Sequence, residues 1–342
     1  MNRALALLVI LLLVYFQLPS GNGAAAQILL NGGGATFPYP LYAKWFAAFS
    51  ELDPTVQFNY QRVGSGQGQK LIADEEMDFG ATDAPMSNED MANAAGKILR
   101  VPTVAGAAVI IFNLHSVKEL RLDGPTLAAI YLGKITEWND PAITQQNPAT
   151  KLPDEEITAV HRSDGSGTSY IFTDFLCSVS AEWKLKVGRY VSVSWPAGVG
   201  MRGSDAVATY VKNTPGAIGF VELFYAIQNH LTYARIRNAA GNYVEASGDS
   251  ITAALSTATI PEDFRLSIVN APGADSYPIA GVTWLLVYEN QRNRAKAKKL
   301  VAFLRWAETE GQKMARDLNF APLPESVTSR VLSEINSIAP HD

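Results

Sequence analysis

The stretch that decides the fold is Val101-Pro-Thr-Val-Ala-Gly-Ala-Ala-Val-Ile-Ile-Phe-Asn113. It is apolar and rich in β-branched residues, which predicts a buried strand. Val282 to Tyr288 has the same character, whereas Leu41 to Glu51 and Ala92 to Leu99 have the pattern of helices. Short apolar runs that alternate with longer amphipathic stretches predict an α/β fold.

The N-terminus has the pattern of an export signal. Arg3 is followed by an uncharged apolar run from Ala4 to Phe16, and Ala24-Ala25-Ala26 offers a cleavage site. We expect residues 1–26 to be a cleaved signal peptide. A membrane anchor is the alternative, but the apolar run is shorter than the roughly 18 residues that span a bilayer. Because no cysteine lies near the cleavage region to accept a lipid, the exported mature chain is predicted to be freely soluble.

Composition limits the remaining possibilities. The mature chain is long enough for two domains at roughly 100 to 200 residues each. Cys177 is the single cysteine, so no intramolecular disulfide can form, and its apolar neighbours predict a buried thiol rather than a nucleophile. The net charge of −5 argues against a nucleic-acid partner. The dense basic run Arg292 to Lys299 precedes an apolar stripe at helical spacing, which predicts a solvent-exposed helix face.

Three segments rich in Gly, Ser and Thr each precede a helix-like stretch. A helix N-terminus presents unpaired N–H groups and a partial positive charge, so such segments can hold an oxyanion. A structural cap is the alternative for any one of them. Their spacing fits neither the dinucleotide fingerprint nor the Walker motif, which favours a small anion. The segments are Gly32 to Phe37, Gly64 to Gly68 and Gly165 to Thr168.

Arg162 is the best candidate for a cation at this site. A guanidinium presents paired donors to an oxyanion and does not lose its charge. Asp164 lies two residues further on and could hold the guanidinium in place. A surface ion pair between the two is the alternative.

Asp83 could make the site selective. A carboxylate that faces an oxyanion repels it unless the anion carries a proton, as phosphate does at neutral pH and sulfate does not. An acceptor at this position would therefore select phosphate. A site built around one specific hydrogen bond can prefer its ligand over an analogue without that bond by a factor of about 10⁴ to 10⁵. The alternative is that Asp83 caps a helix over Ala84 to Asp90, where Pro85 suits the first turn.

An enzymatic interpretation has weak support. His161 beside Arg162 and near Ser166 could indicate a hydrolase, but the G-x-S-x-G elbow is absent and the histidines lack metal-ligand spacing. We therefore expect no catalytic residue, no metal site and no cofactor, and we predict that His161 is a strand-end or surface residue.

Five motifs together resemble the periplasmic phosphate-binding proteins of bacterial ABC transporters, and the similarity runs through nearly all of the mature chain. In chain order they are Gly34-Ala-Thr-Phe-Pro38, Asp78-Phe-Gly-Ala-Thr-Asp83, Ile130-Tyr-Leu-Gly-Lys-Ile-Thr-Glu-Trp-Asn139, Arg162-Ser-Asp-Gly-Ser-Gly-Thr168 and Pro215-Gly-Ala-Ile-Gly-Phe-Val-Glu222.

The resemblance implies a type II periplasmic binding protein, with a mixed sheet in each of two lobes and a ligand cleft between them. Lobe I is predicted to combine residues 27–105 with 275–342, and lobe II to span 106–274. The ligand set implied by the family is Thr36, Phe37, Ser65, Asp83, Arg162, Ser166, Gly167 and Thr168, with Asp164 pairing with Arg162. The second loop departs from the family's usual Gly-Ser-Ser-Gly-Gly, because Gly66 follows Ser65 here.

By the same resemblance, we expect a monomeric, non-enzymatic receptor that binds inorganic phosphate and delivers it to an inner-membrane ABC permease. Two alternatives stay open at the level of sequence. The anion could be sulfate or molybdate, or the chain could bind phosphate for signalling or adhesion without a transporter.

Overall fold

The computed structural model describes residues 27–340, and the predicted signal peptide lies outside them. The strands are β1 Ile28–Gly34, β2 Val56–Gln61, β3 Phe79–Thr82, β4 Ile98–Phe112, β5 Arg121–Leu122, β6 Thr158–Arg162, β7 Val199–Met201, β8 Ala217–Glu222, β9 Thr232–Tyr233, β10 Arg235–Arg237, β11 Tyr243–Val244, β12 Ala280–Tyr288, β13 Asn290–Gln291, β14 Ala321–Pro322 and β15 Ala339–Pro340.

The helices are α1 Tyr39–Leu52, α2 Ser65–Ala73, α3 Asn88–Asn93, α4 Gly124–Tyr131, α5 Pro141–Thr144, α6 Gly167–Val179, α7 Ala181–Lys186, α8 Ser204–Asn213, α9 Leu223–Gln228, α10 Gly248–Ser256, α11 Arg294–Glu308 and α12 Glu325–Ile335. Two short 3₁₀ turns, Gly311–Met314 and Arg316–Leu318, follow α11. In the part of the chain that the structure describes, no helix is long and apolar enough to cross a membrane.

The main sheet is mixed and runs in the order β2-β1-β3-β12-β4-β8-β6-β7, with β9 and β14 also pairing with β4. Strand β1 is parallel to β2 and β3, and β6 is parallel to β7 and β8. Strand β12 is antiparallel to both β3 and β4. The α/β prediction is therefore confirmed, with a parallel group of strands at each end of the sheet.

Strand β4 joins the two halves of this sheet. Its first part pairs with β12 as far as Ala107 opposite Ala280, and its last part pairs with β8 from Ala108 opposite Glu222. The amide of Ala108 also donates to the carbonyl of Ile279 at 2.9 Å. We call the half that contains β1, β2, β3 and β12 the first lobe, and the half that contains β6, β7 and β8 the second lobe.

The sequence located most of these elements correctly. The predicted strands Val101 to Asn113 and Val282 to Tyr288 correspond to β4 and β12, and Leu41 to Glu51 lies in α1. The helix predicted over Ala92 to Leu99 is wrong, because α3 ends at Asn93 and the backbone is extended from Ala94. The apolar residues Ile98 and Leu99 are the buried start of β4, so a short apolar run was mistaken for part of a helix.

Helix α11 packs as its sequence predicts. Leu300, Phe303, Leu304 and Ala307 are fully buried, and the basic residues face outward, where Lys296 pairs with Asp78 at 2.7 Å. Phe303 lies 5.4 Å from Phe46 and 4.7 Å from Phe58 between ring centroids. This aromatic cluster fixes the outer helix layer of the first lobe onto the sheet.

We expect Phe303→Ala to lower the free energy of unfolding by about 3 to 5 kcal/mol, because truncation of a buried Phe loses transfer energy and leaves a cavity. Phe303→Leu, which retains most of the side chain, should cost clearly less. Urea denaturation of both variants measures the difference. Equal losses would mean that the aromatic cluster is not what stabilises this layer.

Candidate anion-binding site

The site forms where loops of the two lobes meet. From the first lobe come the segment before α1, the first turn of α2 and the end of β3. From the second lobe come the first turn of α6 and the start of α8. The four helices α1, α2, α6 and α8 each have at least eight residues. Helix α2 begins at Ser65, so the Gly64 to Gly68 segment is itself the start of the helix rather than a loop ahead of it.

Arg162 and Asp164 form a buried ion pair. Nε of Arg162 donates to Oδ1 of Asp164 at 2.7 Å, and Nη2 donates to Oδ2. The arginine side chain is 1% exposed, which excludes the surface ion pair considered from sequence. Burial acts to raise the pKa of Asp164, but the hydrogen bonds and charge of Arg162 outweigh it and hold this pKa below its usual range. Asp164 thus stays ionised and orients the guanidinium.

Thr36 of the first lobe lies against the other edge of the guanidinium. Nη1 of Arg162 donates to Oγ1 of Thr36 at 3.2 Å and to Oγ of Ser204 at 3.3 Å, and the two hydroxyl oxygens are 3.0 Å apart. The carbonyl of Thr36 accepts a hydrogen bond from the hydroxyl of Tyr225 at 2.7 Å. The contacts of Thr36 therefore cross from one lobe to the other.

Asp83 is buried, with 2% of its surface exposed, and lies beside Ser65. The hydroxyl of Ser65 donates to Oδ2 of Asp83 at 3.3 Å, and the Asp83 amide donates to the same hydroxyl at 3.1 Å. Burial raises the pKa of Asp83 to about 7, although the nearby hydroxyl groups of Thr283 and Ser65 and the charge of Arg162 act to lower it. The carboxyl group is thus poised to hold or accept a proton near neutral pH.

The capping role considered for Asp83 is wrong. Helix α3 begins at Asn88, and its N-cap is Ser87, whose hydroxyl accepts from the Asp90 amide at 3.0 Å. Pro85 and Met86 lie outside the helix. Asp83 is left free to act in the site.

The first turn of α6 faces Asp83. A β-carbon on Gly167 would overlap the Asp83 carboxylate and the Ser65 hydroxyl, so the backbone of the helix start lies directly against both groups. Ser166 is the N-cap of α6, and its hydroxyl accepts from the Ser169 amide at 3.1 Å. The structural-cap and anion-binding interpretations of this segment are therefore compatible.

Several buried polar atoms here have no protein partner. Among residues 27–340, Oδ1 of Asp83 and the hydroxyl oxygens of Thr168 and Ser169 are buried without a hydrogen bond. Native proteins rarely leave buried polar atoms unpaired, and each exception calls for an explanation. Two donors at the start of a helix and one carboxylate oxygen form a complementary set for an oxyanion that bears a proton.

The remaining predicted residue is Phe37. Its ring is fully buried and packs edge-on against Phe320, with 6.2 Å between centroids. This packing fixes the backbone between Thr36 and α1. All the residues expected from sequence thus lie around the meeting point of the two lobes, and their role as ligands stays a prediction.

The sequence reasoning missed Ser204, Ser169 and Glu222. Ser204 follows Gly203 at the start of α8, which is the same signal of a small polar segment before a helix that identified the other loops. The Gly203 amide also donates to Oδ1 of Asp164 at 3.1 Å. Glu222 is fully buried and caps α9, and burial raises its pKa well above the usual range.

His161 and Cys177 have environments that suit structural roles. The His161 ring stacks on Trp195 with 4.8 Å between centroids, and its Nδ1 lies 3.1 Å from the carbonyl oxygen of Arg162. Burial lowers the pKa of His161. Cys177 is half-buried rather than fully buried, and burial raises the pKa of its thiol, which disfavours the reactive thiolate. Within the described residues no cluster of His, Cys, Asp and Glu could hold a metal ion.

Comparison with known proteins decides the family. A family model described as a PBP superfamily domain matches residues 20–309. The phosphate-binding protein PstS of Xylella fastidiosa is 41% identical, with 92% of this chain and 86% of that protein covered. The chain belongs to the PstS phosphate-binding protein family.

Other PstS relatives support the same assignment. The phosphate-binding protein PstS of Haemophilus influenzae is 39% identical, with 94% of this chain and 96% of that protein covered. A solved structure of a phosphate-binding protein from Stenotrophomonas maltophilia superimposes with a TM-score of 0.69 over 90% of this chain and 94% of that one, at 19% identity. The fold is the two-lobed type II periplasmic binding-protein fold.

The raised pKa of Asp83 predicts how the stability of the phosphate-free protein depends on pH. Because this pKa is raised from 3.8 to about 7 in the folded state, the folded chain keeps a proton that the unfolded chain loses. The contribution to stability is fully present below about pH 4 and is lost as the pH rises through about 7. Complete ionisation corresponds to about 4 kcal/mol.

We therefore expect the phosphate-free protein to be less stable at pH 8 than at pH 5, and Asp83→Asn to reduce that difference. Glu222 shifts in the same direction, so part of the pH dependence should persist in the variant. Urea denaturation at both pH values measures it. An identical pH dependence in wild type and Asp83→Asn would show that Asp83 is not the titrating group.

Proposed function

We propose that this chain is an extracytoplasmic receptor that binds inorganic phosphate between its two lobes and delivers it to an ABC-transporter permease. It acts by binding and release, without a chemical step. The observation that carries the proposal is the buried carboxyl group of Asp83, whose Oδ1 has no hydrogen-bond partner and whose Oδ2 lies against the first turn of α6.

The donors account for attraction to an oxyanion. Arg162 supplies one full positive charge, and its ion pair with Asp164 orients the guanidinium while offsetting that charge. The starts of α2 and α6 add backbone N–H groups and partial positive charge from the second and third loops. An acidic protein can therefore hold an anion by local dipoles and one cation, without a broad positive surface.

Asp83 accounts for the choice among oxyanions. A protonated phosphate oxygen can donate to the carboxylate, whereas fully ionised sulfate or molybdate would place two acceptors face to face. A buried acceptor left without a donor costs its full desolvation penalty. This arrangement favours phosphate over sulfate and over molybdate.

The ligand set proposed here combines both lobes. It comprises Thr36, Phe37, Ser65, Asp83, Arg162, Ser166, Gly167 and Thr168, with Asp164 positioning Arg162. Because first-lobe and second-lobe groups contact the same anion, phosphate binds the closed form more tightly and shifts the equilibrium towards it. The ion pair of Arg62 and Asp205, with 2.8 Å between Nη1 and Oδ2, is a further cross-lobe contact that supports closure.

The division of the chain into lobes is part of the proposal. Residues 27–105 with 275–342 form one lobe and residues 106–274 the other. The change of partner along β4 after Ala107 and the start of β12 at Ala280 both support crossings near these boundaries. Two adjacent antiparallel strands then act as the hinge. In the proposed role, the signal peptide is removed and the mature chain acts as a monomer in the periplasm.

Titration calorimetry of residues 27–342 tests the function directly. At one pH, phosphate should bind and sulfate should bind at least 1000-fold more weakly, in line with hydrogen-bond selection of about 10⁴ or more. Sulfate binding as tight as phosphate binding would contradict the role of Asp83. Absence of phosphate binding would contradict the proposed function itself.

Asp83→Asn is the matched substitution for the acceptor. Loss of a charge-assisted hydrogen bond worth about 1.5 to 3 kcal/mol should weaken phosphate binding about 10- to 100-fold and narrow the preference over sulfate. Asp249→Asn, at a side chain that is 96% exposed, provides the same chemical change away from the site and should leave the affinity unchanged. An unaltered affinity in Asp83→Asn would remove Asp83 from the ligand set.

A further inference from the structure

Glycines face one another where the two lobes close over the site. We call Gly64 and Gly66 of the first lobe, with Gly165 and Gly167 of the second lobe, the glycine seam. A β-carbon at position 66 would lie 3.3 Å from Cα of Gly165, and one at position 165 would lie 3.2 Å from Cα of Gly66. A β-carbon at position 64 would lie 2.6 Å from the carbonyl oxygen of Gly165. At position 64 a β-carbon would force the two backbones apart, and at positions 66 and 165 the facing backbone would have to give by a few tenths of an ångström.

The seam includes a hydrogen bond between the lobes. The Gly66 amide donates to the carbonyl of Gly165 at 2.9 Å. On one side of this contact lie Ser65 and Ser166, which are both fully buried. On the other side lies an open groove of about 440 Å³, lined by Gly66 and Val191. Gly66 thus lines the open groove, while its chain neighbour Ser65 is fully buried.

We propose that the glycine seam makes the closed site select inorganic phosphate over phosphate monoesters. The inference rests on the proposed function and deepens it. An ester carries a substituent on one phosphate oxygen, and that substituent needs an outlet from a site whose predicted ligands are almost fully buried. An outlet through the seam requires the Gly66–Gly165 hydrogen bond to break and the two loops to separate. Partial opening weakens the contacts of one lobe with the anion, so the ester loses affinity.

The test has to separate size from protonation. At pH 7 a monoester is largely a dianion without a P–O–H group, because its second pKa is about 6, and Asp83 alone would reject it. At pH 5 both inorganic phosphate and methyl phosphate are monoanions that carry one or more P–O–H groups. A comparison at pH 5 therefore keeps the charge equal and leaves at least one P–O–H group on each ligand, while one hydroxyl of phosphate is replaced by a methoxy group. Phosphate and methyl phosphate are the probes, and calorimetry on residues 27–342 is the measurement.

For the wild type we expect methyl phosphate to bind at least 100-fold more weakly than phosphate at pH 5. In Gly66→Ala the added methyl group pushes the seam apart, so phosphate should bind about 10-fold more weakly while methyl phosphate does not, and the selectivity falls by the same factor. Gly66 lies in the first turn of α2, where Ala favours the helix, so weaker binding would not come from a weakened helix. Gly165→Ala should act in the same direction from the opposite lobe.

Gly248→Ala is the control, because a β-carbon at this helix start meets just one atom within 4 Å, at 3.9 Å. This variant should bind phosphate and methyl phosphate as the wild type does. Tight methyl phosphate binding by the wild type would overturn the seam's role while leaving phosphate binding intact. Unchanged selectivity in both Gly66→Ala and Gly165→Ala would overturn it as well. Failure of the wild type to bind phosphate would instead contradict the proposed function.

Discussion

The sharing of strand β4 between the two halves of the main sheet is the constraint on which the rest of the structure depends. One continuous strand pairs with β12 in the first lobe and with β8 in the second, so both lobes are built on the same backbone. The loops at the ends of β1, β3 and β6 are thereby brought to one meeting point. In the proposed receptor, the same strand and its antiparallel neighbour β12 form the hinge between the lobes. The proposed binding and the proposed motion would then have a common origin in the sheet topology.

Charge balance at the meeting point follows from burial. An isolated buried guanidinium would be costly, and Asp164 compensates Arg162 through two hydrogen bonds. The ion pair is close to neutral, so much of the electrostatic attraction for an anion comes from the helix N-termini. Asp83 differs from Asp164, because no cation pairs with its carboxyl group and burial raises its pKa. A site with strong cations on every side would bind any oxyanion, whereas the proposed site would bind according to the protonation state of its ligand.

The sequence predicted the fold class, and it identified the loops that lie at the meeting point of the lobes, because each depends on a local pattern. The buried strand Val101 to Asn113 and the small polar residues before helices can both be recognised without knowledge of the fold. Ser204 was missed because its importance comes from tertiary contacts with Arg162 and Thr36. Glu222 was missed because a sequence does not show that a carboxyl group is fully buried. The end of α3 was misplaced because Ile98 and Leu99 suit a helix or a strand equally well, and pairing with β12 decides between them.

The departure of the second loop from the family pattern gains a physical meaning in this fold. Gly66 stands where the family often has serine, and in this structure it donates across the cleft to Gly165. A small residue there brings the two backbones into contact. The closed form then depends on contacts between main-chain atoms, which a change of side-chain rotamer cannot relieve. The site consequently has two independent filters. Asp83 acts on the proton that the anion carries, whereas the seam acts on what is attached to its oxygen, and a ligand has to satisfy both before the lobes can close.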